Sequence, residues 1–443
     1  MSAQSVPLID VARPDATSAD RFGRIVNVRS LANGSLLIND AGRRQLLLVD
    51  QALNNRRVVL DSSSAYMGYG PSEAALAPYT GDSLVLMNRY ALSMIDARTG
   101  TIVRWTPARM VPMLTLNNGQ TVGVDPDGNY VFRASVRPAP ATASANGEPA
   151  KPAVPVGVDS GLVVRVNFAT RAVTRVVKLF QQPSGKIFMN KAEDGRMVAR
   201  TVVNVLPLAD EFAVLSDGTV AVLRVSDYHV DFVNIDGKLE SSPKLPFSFV
   251  SLTVNDRQIL IDSARSAQAA ADAAGISTMA REGAAVATGV AVAKATGLNG
   301  TKPGEGFKVD VQQTGAVAAG TVAANPGQAV QGTLPFAMRS SDIEYIPAER
   351  LPSRHPAFTG GRAMVVDLSD NLWIHTTAKD PSMQNGVMYD VVNRNGALSR
   401  RVRIPAGRTV AGFGANGVVY LRFQDDAGWG IERTTALPQP RNR

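Results

Sequence analysis

Short apolar runs recur along the chain, and each follows a pair of turn-forming residues. Ser35-Leu36-Leu37-Ile38 comes after Asn33-Gly34, Ser83-Leu84-Val85-Leu86-Met87 after Gly81-Asp82, and Asn129-Tyr130-Val131-Phe132 after Asp127-Gly128. The same order returns at Asp217-Gly218 with Thr219-Val220-Ala221-Val222-Leu223, at Asp370-Asn371 with Leu372-Trp373-Ile374, and at Asn416-Gly417 with Val418-Val419-Tyr420-Leu421. β-Branched and aromatic residues bounded by turn formers predict strands. Asn, Asp and Gly tolerate the positive φ that a tight hairpin needs.

Most of these units continue with two more strands. Gln45–Asp50 leads to Arg57–Leu60, and Leu92–Asp96 turns at Arg98-Thr99-Gly100 into Ile102–Trp105. Met388–Val392 turns at Asn395-Gly396 into Arg401–Ile404. A four-stranded antiparallel unit of this length is one blade of a β-propeller. The turn pairs are spaced by 48, 46, 90, 153 and 46 residues, which predicts six blades with insertions in the third unit and after the fourth. The last unit is one strand short, and Val6-Pro7-Leu8-Ile9-Asp10 is the segment expected to supply it. Closure of that kind removes exposed sheet edges, and Pro7 suits an outer position. The fold class expected is therefore all-β, a single six-bladed β-propeller over 1–443, closed by an N-terminal strand and carrying two surface insertions.

Residues 137–158 form the first insertion, Pro- and Ala-rich and without aromatics, which predicts an extended loop. Residues 263–335 form the second. Its start, Asp262-Ser263-Ala264-Arg265-Ser266-Ala267-Gln268, favours a short helix; the remainder is rich in Ala, Gly, Val and Thr. Loop entropy grows slowly with length, so a propeller can carry both.

Composition narrows the classes of function. The chain has 443 residues, 45% of them hydrophobic and 19% charged, a formal net charge of +8 and no cysteine. Disulfides, thiolate metal sites and a cysteine nucleophile are thereby excluded. The arginines are scattered (Arg24, Arg29, Arg43, Arg44, Arg56, Arg57, Arg104, Arg109) instead of gathered in a stripe, so the basic balance reads as solvated charge and no nucleic-acid partner is expected. No apolar run approaches the roughly 18 residues that span a bilayer, so no transmembrane segment is expected. Met1-Ser2-Ala3-Gln4-Ser5 has no signal-peptide pattern. A mature periplasmic or extracellular protein is the expectation, with a cytoplasmic one as the alternative.

Phe212–Val222 with Asp227-Tyr228-His229-Val230-Asp231, and Val366–Ile374 with Tyr389–Asn393, resemble the bacterial six-bladed propellers of the NHL/TolB-like type. The resemblance spans nearly the whole chain outside the two insertions. It implies a fold and not an activity, because propellers host binding, hydrolysis and lyase chemistry alike.

The candidate chemistry is sparse. Three histidines, His229, His355 and His375, allow a zinc reading. A channel calcium of the lactonase kind would draw on Glu211, Asp125, Asp367, Asn204 and Glu73. The weak metal candidates are thus Glu211, Asp125, Asp367, His229 and His375, with no cofactor as the main expectation and calcium or zinc as the alternative. No Gly-x-Ser-x-Gly elbow is present, and Thr359-Gly360-Gly361-Arg362 reads as a turn before a strand. Trp105, Trp373 and Trp429 are expected to pack between blades. The function expected is a non-catalytic recognition or scaffold subunit that meets protein partners, including a membrane-associated complex, through loops and residues 263–335. The alternative is a lactonase-like hydrolase or lyase with a divalent metal in the channel.

Overall fold

The structure is a computed structural model and describes residues 6–31, 33–63, 68–70, 73–78, 83–88, 91–96, 98, 101–107, 122–134, 160–167, 169–191, 197–273, 343–378 and 386–436. Residues 137–158 and most of 263–335 lie outside them. The expected six-bladed β-propeller is present. Blade 1 comprises Ile25–Ser30, Leu36–Asp40, Gln45–Val49 and Arg56–Leu60, and blade 2 Ala75–Pro78, Ser83–Met87, Ala91–Asp96 and Thr101–Pro107. Blade 3 comprises Val122–Val124, Tyr130–Ala134, Ser160–Val166 and Val173–Phe180, and blade 4 Glu211–Val214, Val220–Arg224, His229–Val233 and Leu239–Ser241. Blade 5 comprises Met364–Val366, Leu372–Thr376, Val387–Val392 and Leu398–Ile404; blade 6 begins with Arg408–Phe413, Val418–Asp425 and Gly428–Thr435. The five recurring turn pairs among the described residues fall between the first and second strands of a blade.

Side chains alternate between the two faces of each sheet, and both faces are covered by neighbouring blades. That is why Leu36–Asp40 is buried throughout rather than at every second residue. Leu36 and Ile38 pack toward blade 6 with Tyr420 and Ile431, whereas Leu37 packs toward blade 2 with Leu84 and Ile95. Phe132 meets Val85 of blade 2, and Val131 meets Phe212 of blade 4. Leu223 meets Leu372 of blade 5, whose Trp373 packs with Phe413 and Leu421 of blade 6. These six apolar seams close the circle. Trp373 and Trp429 sit in them as expected. Near the axis there is little room: a Cβ on Gly123 would lie 2.3 Å from Cγ2 of Val214 on the next innermost strand.

The N-terminal segment does close blade 6, but through Ala16–Thr17, which pairs antiparallel with Gly428–Thr435. The segment expected in that role takes another: Leu8–Asp10 runs parallel to Leu398–Ile404 as a fifth strand on blade 5. The reason lies in the ion pair that each stretch makes. Ion pairs of Arg403 with Asp10 (2.6 Å) and of Arg433 with Asp15 (2.8 Å) hold the two stretches on adjacent blades.

A small module stands outside the ring. The hairpin Gly185–Lys191 and Met197–Val203 leaves the connection between blades 3 and 4, and Ile343–Tyr345, from the connection between blades 4 and 5, pairs parallel with it. Helix α1, Val254–Ala273, packs Ile261 against Leu206, Ala348 and Leu351. It starts nearer the N-terminus than the sequence reading suggested, because Thr253 and Asp256 form a reciprocal cap: Asp256 N–H donates to Thr253 Oγ1 (3.1 Å) and Thr253 N–H to Asp256 Oδ2 (2.8 Å). No helix among the described residues is long and apolar enough to cross a membrane.

Candidate functional site at one mouth of the channel

Antiparallel order gives the propeller two unlike ends. Turns between first and second strands, and between third and fourth, lie at one end; connections between blades lie at the other, together with the module. At this second end, among the described residues, each blade contributes at least one ionisable side chain to a connected set. They are Arg24 (blade 1), Glu73 (blade 2), Arg133 (blade 3), Glu211 (blade 4), Arg362 (blade 5) and Arg422 (blade 6).

Glu73 lies at the centre. Nη2 of Arg24 donates to one carboxylate oxygen at 2.6 Å and Nη2 of Arg362 to the other at 2.7 Å. Arg362 comes from blade 5 and Glu73 from blade 2, so this contact spans the channel. The backbone is bent to allow it: Gly361 and Arg362 both adopt positive φ, 91° and 72°. For arginine that conformation costs about 1–2 kcal/mol. Strain of this kind collects at functional sites.

Glu211 is buried and accepts a hydrogen bond from Gly361 N–H at 2.7 Å. Burial pushes its carboxyl pKa up, against the opposing charges of Arg133 and Arg362 and the backbone donors Gly361 and Arg362. Arg133 also donates to Gln181 and to the carbonyl of Asp210, at 3.1 and 2.9 Å. Arg422 donates to the carbonyls of Ile25 and Val26, at 3.0 and 2.6 Å, and to Thr409 Oγ1 at 2.9 Å. Its pKa is lowered, first by burial and then by the charge of Arg362. Beside it the ring of His375 stacks on Tyr389 at 5.1 Å, and burial followed by the charge of Arg422 lowers its pKa.

The metal candidates are spread over the molecule. Glu211 and His375 lie at the mouth. Asp125 and Asp367 lie at the opposite end in the first turns of blades 3 and 5. Asp125 pairs with Arg165 at 2.9 Å, and Asp367 accepts from Asn371 and, at 3.0 Å, from the indole N–H of Trp373. His229 is on the third strand of blade 4, its ring nitrogens 2.5 Å from Asp227 and 3.2 Å from Asp231. His355 sits in the loop before blade 5, where its backbone N–H bonds Val250, and Asn204 caps a turn within the module. Among the described residues no three His, Asp or Glu side chains gather as metal ligands. The mouth carboxylates do not suit calcium either. Among the described residues both Glu73 oxygens are taken by guanidinium groups, whereas a hard cation needs several free anionic oxygens. In the sequence Glu73 and Glu211 stand out as candidate ligands, whereas Arg24 reads as solvated charge and Arg362 as part of a turn.

No family model matches the chain, and no curated protein matches it. Solved structures do. Regucalcin from Agrobacterium tumefaciens, a calcium-binding protein, aligns at 11% identity and a TM-score of 0.38, over 99% of this chain and 100% of its own. A gluconolactonase from Xanthomonas campestris aligns at 12% identity and TM-score 0.37, over 97% and 99% of the two chains. Virginiamycin B lyase from Staphylococcus aureus gives 7% and 0.37 over 95% and 98%. The likeness is one of fold.

Proposed function

We propose that this chain is a small-molecule propeller, enzyme-like in layout, which binds its ligand at the mouth between the inter-blade connections. The observation that carries this reading is the convergence there of one ionisable side chain from every blade. A scaffold needs no such convergence, since polar groups drawn into a partly desolvated channel cost stability unless they meet a task. Glu211, held toward its protonated form, and His375, held toward its neutral form, are groups able to exchange a proton with a ligand.

The test is a thermal-shift screen of small polar metabolites, including lactones and sugars, on the whole chain and on Arg133→Gln. A ligand at 100 times its Kd stabilises by about 2.7 kcal/mol. Compounds that raise Tm in the native chain and lose the effect in the variant support the mouth as the site. Compounds that stabilise both chains equally, or a screen without any stabilising compound, return the chain to the scaffold reading.

A further inference from the structure

Among the described residues the mouth carries four guanidinium groups (Arg24, Arg133, Arg362 and Arg422) and two carboxyl groups (Glu73 and Glu211). Nearby carboxylates are otherwise engaged: Asp40 accepts from the backbone N–H groups of Gly23 and Arg24, and Asp210 from Arg224 and from Phe180 N–H. Among the described residues the surplus falls on Arg133 and Arg422, both of which donate to neutral acceptors. The acceptors of Arg422 are two carbonyls and a hydroxyl, all neutral, and among the described residues Arg362 and Arg24 act on it with like charge, against Tyr389 and the one carboxylate Glu73.

We infer that the ligand of this mouth is an organic anion, held through a carboxylate or phosphoryl group by Arg422 together with Arg362 and Arg24. The inference rests on the mouth being the binding site. Guanidinium forks match planar carboxylate and phosphoryl oxygens, and such bonds strengthen where water is partly excluded. Glu73 already shows how a carboxylate sits here, one oxygen to each of two arginines, so it serves as an internal competitor for the ligand's anionic group. Access is retained: the side chains of Arg24 and Arg362 keep 19% and 26% of their surface exposed. A neutral sugar or lactone would leave the excess charge of Arg422 unmatched.

Three variants test the point by calorimetry and thermal shift on the whole chain. The probes are inorganic phosphate, citrate, glucose and γ-butyrolactone at two sodium chloride concentrations. The expected result is that phosphate or citrate binds, that affinity falls with salt, that Arg422→Gln weakens it at least about tenfold, and that Glu73→Gln tightens it several-fold by freeing two guanidinium forks. Response to phosphate alone assigns a phosphoryl group, and response to citrate alone a carboxylate. If Arg422→Gln does not fold, the Glu73→Gln gain decides: no gain overturns the inference. Binding of glucose or the lactone that is lost in Arg133→Gln, with both anions inert, overturns the anion class while the mouth site stands. If no probe responds to any of these substitutions, both fall.

Discussion

Glu211 and Asp390 are carboxyl groups that burial holds away from ionisation, and each makes a separate prediction. The pKa of Glu211 is raised in the folded chain, so the folded state binds more protons than the unfolded one above the ordinary glutamate value of about 4.3. In that window stability falls as pH rises. Glu211→Gln removes the slope while its amide oxygen can still accept from Gly361. The variant should gain Tm relative to the native chain on going from about pH 4 to about pH 7; a difference independent of pH would contradict the burial cause. Asp390, buried between blades 4 and 5, accepts from Tyr228 Oη at 2.8 Å and from Arg401 Nε at 3.0 Å, and burial raises its pKa too. Tyr228→Phe leaves one oxygen without its donor, which should cost about 1–3 kcal/mol in urea unfolding. At this scale little of the site was legible in the sequence. Residues 24, 73, 133, 211, 362 and 422 meet only because the ring brings six blades to one axis, and no local motif marks them.

Elements were far more readable than residues. Among the described residues the Asn/Asp/Gly pairs form the first hairpin of a blade because positive φ is needed there: Gly34, Gly128, Gly218 and Gly417 have φ of 81°, 75°, 83° and 75°. Two elements escaped. The hairpin Gly185–Lys191 with Met197–Val203 has its third strand, Ile343–Tyr345, far away in sequence. The start of α1 is set by a Thr253/Asp256 cap that composition does not reveal. Contact between innermost strands gives the prediction proper to this scale. Gly123→Val drives a side chain into Val214 across the seam of blades 3 and 4, and overpacking of that kind costs about 1–3 kcal/mol. Gly185→Ala, where the nearest atom to the added Cβ is 3.8 Å away, should be near neutral by the same unfolding measurement.

At the scale of the whole molecule, closure depends on a short N-terminal strap that fastens two blades. Deleting residues 1–20 removes Ala16–Thr17, the Asp15–Arg433 pair, and the Ser18 Oγ that accepts from Ile431 N–H at 3.0 Å. The truncated chain should melt at a lower temperature. Its bare edge at Gly428–Thr435 should associate with other chains in a concentration-dependent way, visible by light scattering. Ring closure and the mouth cluster are one claim seen twice, because Arg362 and Glu73 belong to opposite blades. A double-mutant cycle of Arg362→Gln and Glu73→Gln on unfolding free energy tests it most directly. The account predicts a coupling above about 0.5 kcal/mol between residues that only a closed six-bladed ring brings together, and additivity within about 0.3 kcal/mol would contradict it.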